Sequence, residues 1–214
     1  MKVPWPPYLA GRGATSSNVS RRWIAAAVAA TVVGVATLTT VSLWRLSQVS
    51  AAVQPPQIGA RFELSLPDGR AVTNETFRGK WLVIYFGYTS CPDVCPSTLA
   101  SVTQALKNLG AAADKVQPLF ITVDPERDTP EIIGEYVKFF DPRFVGLVGS
   151  PQQIAAAARD FHVYYEVRQL GNNEYVIDHS SYLYVVDPKG TFVRLLSGDL
   201  PGHELSTQLA KLIN

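Results

Sequence analysis

Sulfur is scarce in this chain. Its 214 residues hold two cysteines, Cys91 and Cys95, and one methionine, Met1. Two cysteines exclude a disulfide-dense scaffold and an iron–sulfur cluster, which needs about four thiolates. One methionine excludes a thioether-rich copper site. Acid is missing from the whole first stretch: no Asp or Glu precedes Glu63. Five basic and no acidic residues precede residue 46, leaving 14 basic against 18 acidic residues after it. The mildly acidic downstream part offers no electrostatic footprint for nucleic acid. An apolar content of 47% excludes a disordered chain.

Charge is also absent from 23–44, WIAAAVAATVVGVATLTTVSLW. At about 1.5 Å per residue, a helix of this length crosses a hydrocarbon core of about 30 Å. Trp23 and Trp44 stand at its ends, where indole rings favour the membrane interface. A cleaved signal peptide would usually carry a shorter apolar stretch of about 7–15 residues. With Arg21 and Arg22 just ahead of the span, the positive-inside rule places 1–22 in the cytoplasm as a tail. Residues 45–58 read as a linker ending near Pro55-Pro56, and 59–214 as one globular domain. The expected location is a bacterial inner membrane, with the domain in the periplasm; a mitochondrial inner membrane is the alternative, disfavoured by the short segment ahead of the span.

The domain alternates strand-like and helix-like segments. Residues 61–66 and 70–72 flank the turn Pro67-Asp68-Gly69 and read as a hairpin. The run 81–88, WLVIYFGY, reads as a strand buried on both faces, and 116–123 and 144–148 likewise. Helices are expected over 96–109, from Thr129-Pro130, and from Ser150, where Gln153 completes a capping box. A second hairpin joins 163–169 to 174–177, followed by strands 182–186 and 191–196 and a closing helix over 205–213. This order predicts an α/β domain with a central, mostly parallel sheet covered by helices and an antiparallel edge.

The segment GYTSCPDVCP (87–96) carries the chemistry. It joins a buried strand to a helix, so both sulfurs lie near a helix N-terminus, which stabilises a thiolate. A structural disulfide across this spacing would close a tiny loop and add little. A dithiol redox centre and a metal site remain. A metal needs a third donor, from His162, His179 or His203. His179 stands just before strand 182–186, which meets the cysteine loop if that strand lies beside 81–88 and opposed to it. Asp178 is a candidate outer-shell partner. Two thiolates and one imidazole suit copper as Cu(I) or Cu(II), whereas structural zinc usually takes four protein ligands.

Three stretches together, GYTSCPDVCP, TVDPERDTP (122–130) and YVIDHSSYLYVVDPKG (175–190), resemble the Sco/SenC family. The likeness covers 59–214 and the single N-terminal anchor. It implies a thioredoxin-like fold, with Cys91, Cys95 and His179 as copper ligands. It also implies a role in supplying copper, or reducing equivalents, to the binuclear copper centre of cytochrome c oxidase subunit II. The expected partners are that subunit, a periplasmic thiol reductant and another copper chaperone. The chain then reads as a metallochaperone rather than an enzyme, with thiol-disulfide reduction or redox sensing through Cys91 and Cys95 as the alternative. A peroxiredoxin-like peroxidase fails on its motif, since Tyr88 stands where the threonine three residues before the reactive cysteine is needed. In the middle motif, Asp128 or Thr129 reads as a helix cap and Arg127 as a partner of Asp124.

Overall fold

The computed structural model describes residues 17–52, 58–172 and 174–213. Two units are distinguished, 1–57 and 58–214. In the first, helix α1 runs Ser17–Ala52. Its segment Trp23–Ser42 is long and apolar enough to cross a membrane. The threonines in this segment return their hydroxyls to carbonyls one turn back, as Thr31 Oγ1 does to Ala27 O at 2.6 Å and Thr37 Oγ1 to Val33 O at 3.0 Å. Such internal pairing removes the need of these threonine hydroxyls for water. The helix is longer than the apolar run: it takes in 17–22 and 45–52, assigned above to a tail and a linker. Residues 1–16 and 53–57 lie outside the described residues.

The second unit opens with a hairpin of β1 (Glu63–Ser65) and β2 (Ala71–Thr73). Then come β3 (Trp81–Gly87), α2 (Val94–Leu109), β4 (Val116–Thr122), α3 (Pro130–Phe140), β5 (Val145–Leu147) and α4 (Pro151–Asp160). A second hairpin, β6 (Tyr165–Gly171) and β7 (Glu174–His179), leads to β8 (Tyr182–Val186), β9 (Phe192–Ser197) and α5 (Gly202–Ile213). The helix starts follow their caps. Thr129 Oγ1 accepts from Ile132 N at 3.3 Å, and Ser150 and Gln153 form the reciprocal box expected of them.

The central sheet has the order β5-β4-β3-β8-β9. β3, β4 and β5 are parallel, as the helical crossovers between them require. β8 is antiparallel to β3, and β9 to β8. Antiparallel pairing therefore reaches the centre of the sheet rather than only its edge. The connection accounts for it: from β5 the chain passes through α4 and then the extra β6–β7 hairpin before β8, which runs opposite to β3. The first residues of β8 consequently stand beside the last residues of β3, with Tyr85 opposite Leu183.

β3 is buried from Leu82 to Gly87. On one face Tyr85 meets Phe120, which meets Tyr136 of α3, and the site cysteine Cys95 lies against Gly87. On the other face Phe86, Phe161 and Tyr184 form a cluster of rings 5.3–5.8 Å apart. α5 lies along α2, with Gly202 against Gln104. The β6–β7 hairpin forms its own two-stranded sheet.

Candidate metal centre

β3 ends at Gly87, and the chain turns through 88–93 into α2. The helix starts at Val94, two residues earlier than Pro96, so Cys95 belongs to its first turn and Cys91 to the preceding loop. Pro96 then falls among positions whose N–H groups have no helical partner, where a missing donor costs nothing. Asp93 is the N-cap by position but makes no capping bond. The Cys91 sulfur takes that place, accepting from Cys95 N at 3.5 Å.

Gly87 is required here by space. A Cβ at this position would lie 2.8 Å from Cys95 Sγ and within 3.1 Å of the Tyr85 and Phe120 rings. Cys95 is fully buried, and Cys91 is 9% exposed. Both are free thiols. The Cys95 side chain donates to Cys91, which holds the Cys91 thiol far below its ordinary range, at about 3; burial opposes the shift, and His179 and the backbone N–H of Cys95 reinforce it. Cys95 is pushed up by the same bond, by burial and by the charge on Cys91. The pair thus holds one proton and one negative charge.

His179, the last residue of β7, completes the group. Its Nε2 lies 3.4 Å from Cys95 Sγ. Its Nδ1 lies 3.1 Å from Ser180 O, and a carbonyl only accepts, so Nδ1 carries a hydrogen and Nε2 is the ring nitrogen turned to the sulfurs. Tyr85 and Tyr88 meet the imidazole edge-on, with centroids at 6.0 and 5.8 Å. Tyr85 Oη also points to Cys95 Sγ at 3.9 Å. Cys91 and His179 line an open groove of about 330 Å³ with Tyr88, Pro92, Asp93 and Asp178.

Among the described residues, Cys91, Cys95 and His179 bring one donor atom each within 4.8 Å of one another, and no other such cluster of His, Cys, Asp and Glu is found. Two soft thiolates with one neutral imidazole fit copper, and the group lacks the fourth protein ligand that a structural zinc site takes. His162, at φ 55° in the turn after α4, and His203, in the first turn of α5, are exposed and stand apart from the group. Asp178 does not support the imidazole. It points across the hairpin to Arg168, with N–O at 3.1 Å, and the Ser180 carbonyl does that work instead.

Sequence reasoning missed Asp128. Thr129 alone caps α3, and Asp128 reaches back to the cysteine loop. It accepts from Thr89 N at 3.1 Å, from Thr89 Oγ1 at 2.5 Å and from Thr122 Oγ1 at 2.6 Å. It is 2% exposed, and burial pushes its carboxyl up. Arg127 pairs with Asp124, as expected, and also reaches the hairpin.

A family model for SCO1/SenC matches residues 50–214. The mitochondrial SCO1 homolog 1 of Arabidopsis thaliana is 42% identical over 139 residues, covering 64% of this chain and 41% of that protein. The chain thus spans under half the length of that relative. The crystal structure of Arabidopsis thaliana ScoI with copper bound has 39% identity and a TM-score of 0.69, over 73% of this chain and 98% of that one. Bradyrhizobium japonicum ScoI with copper bound has 39% identity and a TM-score of 0.67, over 72% and 98%. The thioredoxin-like fold implied by the resemblance is the one observed, with a mixed central sheet and the β6–β7 hairpin inserted before β8. With the match running through the whole second unit, this chain belongs to the SCO1/SenC family.

Proposed function

We propose that this protein carries copper as cargo and hands it to the binuclear copper centre of cytochrome c oxidase subunit II. The carrying observation is the convergence of Cys91 Sγ, Cys95 Sγ and His179 Nε2 within 4.8 Å. Relatives of 39% identity whose structures hold copper support the same cargo. Cys91 and His179 border the open groove, whereas Cys95 is buried. An incoming donor from the acceptor therefore approaches the Cys91 and His179 side, and Cys95 is the last ligand to let go. Three ligands leave room for that donor, so exchange proceeds without full release of the ion.

The helix spanning 23–44 serves in this reading as a membrane anchor. Arg21 and Arg22 ahead of it support a cytoplasmic N-terminus and a periplasmic domain at a bacterial inner membrane. An oxidising compartment would join Cys91 to Cys95 and remove the site. A thiol reductant and a second copper chaperone that loads the protein complete the set of partners.

The test is anaerobic Cu(I) titration of the reduced full-length protein in detergent, in competition with a chromogenic chelator. Wild type should bind one equivalent, and His179→Ala should bind it about tenfold or more weakly. Equal affinities would refute the three-ligand site. A second reading, thiol reduction of the acceptor, draws on the depressed Cys91 thiol. There the Cys91 thiolate attacks an acceptor disulfide, and Cys95 resolves the mixed disulfide to leave Cys91–Cys95 oxidised and the acceptor reduced. His179→Ala would keep that activity, and copper-free wild type would show it.

A further inference from the structure

We propose that Arg127 is a positioning residue for the third donor: it latches the β6–β7 hairpin to the end of β4 and so sets His179 over the cysteine pair. This rests on the copper-carrier reading above, with His179 as a ligand.

The hairpin needs a latch. It shares no β-ladder with the central sheet. Beneath its inner face, between Tyr165, Val167, Tyr175 and Ile177 on one side and Val123, Pro125 and Ile154 on the other, lies a cleft of about 270 Å³. Close packing therefore holds the hairpin to the body at Ile177, with Tyr165 and Tyr175 against the core, and leaves a gap beneath the rest of its inner face.

The polar contacts that tie Tyr175 to the end of β4 centre on Arg127. Its guanidinium pairs with Asp124, which is buried and held to the end of β4 by Asp124 N donating to Thr122 Oγ1 at 2.9 Å. Arg127 Nη1 donates to Tyr175 O at 3.0 Å. The guanidinium carbon lies 3.8 Å from the Tyr175 ring centroid and 5.6 Å from that of Tyr88. Tyr175 Oη returns a bond to Asp124 at 2.8 Å. One planar fork thus grips the backbone and the ring of Tyr175 together, which a lysine ammonium cannot do.

Tyr175, Ile177 and His179 alternate onto one face of β7. Ile177 is buried, and its N–H donates to Tyr88 Oη at 3.4 Å. Holding Tyr175 therefore fixes the face that presents His179 four residues later. Arg127 bonds to none of the three donor residues, so its effect on His179 passes through the hairpin and through Tyr88, whose ring meets both the guanidinium and the imidazole.

The experiment is a double-mutant cycle on the full-length protein in detergent, read by anaerobic Cu(I) competition. Arg127→Ala should weaken binding by about tenfold or more, the size expected of a residue that orients a metal ligand. In a His179→Ala background the same substitution should change affinity by less than about twofold, because the residue it positions is gone. Arg127→Lys keeps a cation beside Asp124 and guards against loss of the fold. It should show a smaller effect with the same non-additivity. An unchanged affinity in both Arg127 variants overturns the latch, and so does an equal loss with and without His179, which marks a merely structural residue. Equal binding by wild type and His179→Ala would bring down the copper reading itself, a result separable from either of these.

Discussion

The cysteines and the histidine are held by two different kinds of structure. The sulfurs stand where β3 meets α2, with Cys95 fully buried against Gly87 and Tyr85 and Cys91 lining the groove beside Tyr88. The imidazole sits on a hairpin whose first strand is exposed from residue 166 onward and which joins the body through Ile177 and a few polar contacts. Burial and contact density set how readily a region opens. On the copper-carrier proposal the protein has two opposed needs, to keep its ion and to give it up. The cysteine side serves the first and the hairpin the second, and the same three ligands in a uniformly packed core would serve only retention.

This contrast can be broken from the rigid side most severely. Gly87→Ala places a methyl against Cys95 Sγ, with aromatic rings at 3.0 and 3.1 Å that have no room to retreat. Overpacking of this kind should cost about 3 kcal/mol and displace the sulfur, so thermal melting and Cu(I) stoichiometry should fall together. A variant with normal melting and normal binding would show that the cysteine side is softer than described. Asp128→Ala comes next. It strips the partners from Thr89 N, from the half-buried Thr89 hydroxyl and from the buried Thr122 hydroxyl, and should cost about 2 kcal/mol in chemical denaturation. The hairpin should remain in place, because its contacts run through Asp124 and Arg127 instead.

The smallest effect sharpens the division inside the cysteine pair. With Cys91 held near 3 and Cys95 raised, the reduced protein at pH 7 carries one thiolate and one thiol. Copper uptake should therefore release about one proton per ion rather than two, measurable as a calorimetric dependence on buffer ionisation enthalpy. The sign follows from the depressed group: Cys91 is deprotonated at every pH above about 3, so iodoacetamide should modify one sulfur at a rate nearly flat between pH 5 and 8. A steep rise across that range would mean an ordinary thiol.

Much of this was legible in the sequence, for a definite reason. Strand–loop–helix order and the Cys91-Pro92-Asp93-Val94-Cys95 spacing are local properties, and they placed both sulfurs at a helix start. Candidate capping residues 129 and 150 and the hairpin turns were local as well. His179 was legible only conditionally, through the pairing of β8 with β3, and it was the family motif that selected it from three histidines. What stayed hidden is non-local. Asp128 looks like a helix cap because Thr129 follows it, yet its partner Thr89 lies 39 residues away. Asp178 looks like a support for His179 because it is adjacent, but neighbours on a strand point to opposite faces. The need for Gly87 depends on a sulfur eight positions later folding back under it, which no pattern of hydrophobicity reports.

The third donor is 84 residues from Cys95 along the chain. It is delivered only when β8 has paired with β3, the contact of longest sequence separation in the middle of the sheet. Loop closure on that scale comes late and together with the core. A nascent, misfolded or proteolytically nicked chain would keep its vicinal thiols and offer the ion two donors at most. Completion of the site is thus a report on completion of the fold: the full set of three donors exists only when the tertiary structure does, and defective molecules would compete poorly for the ion.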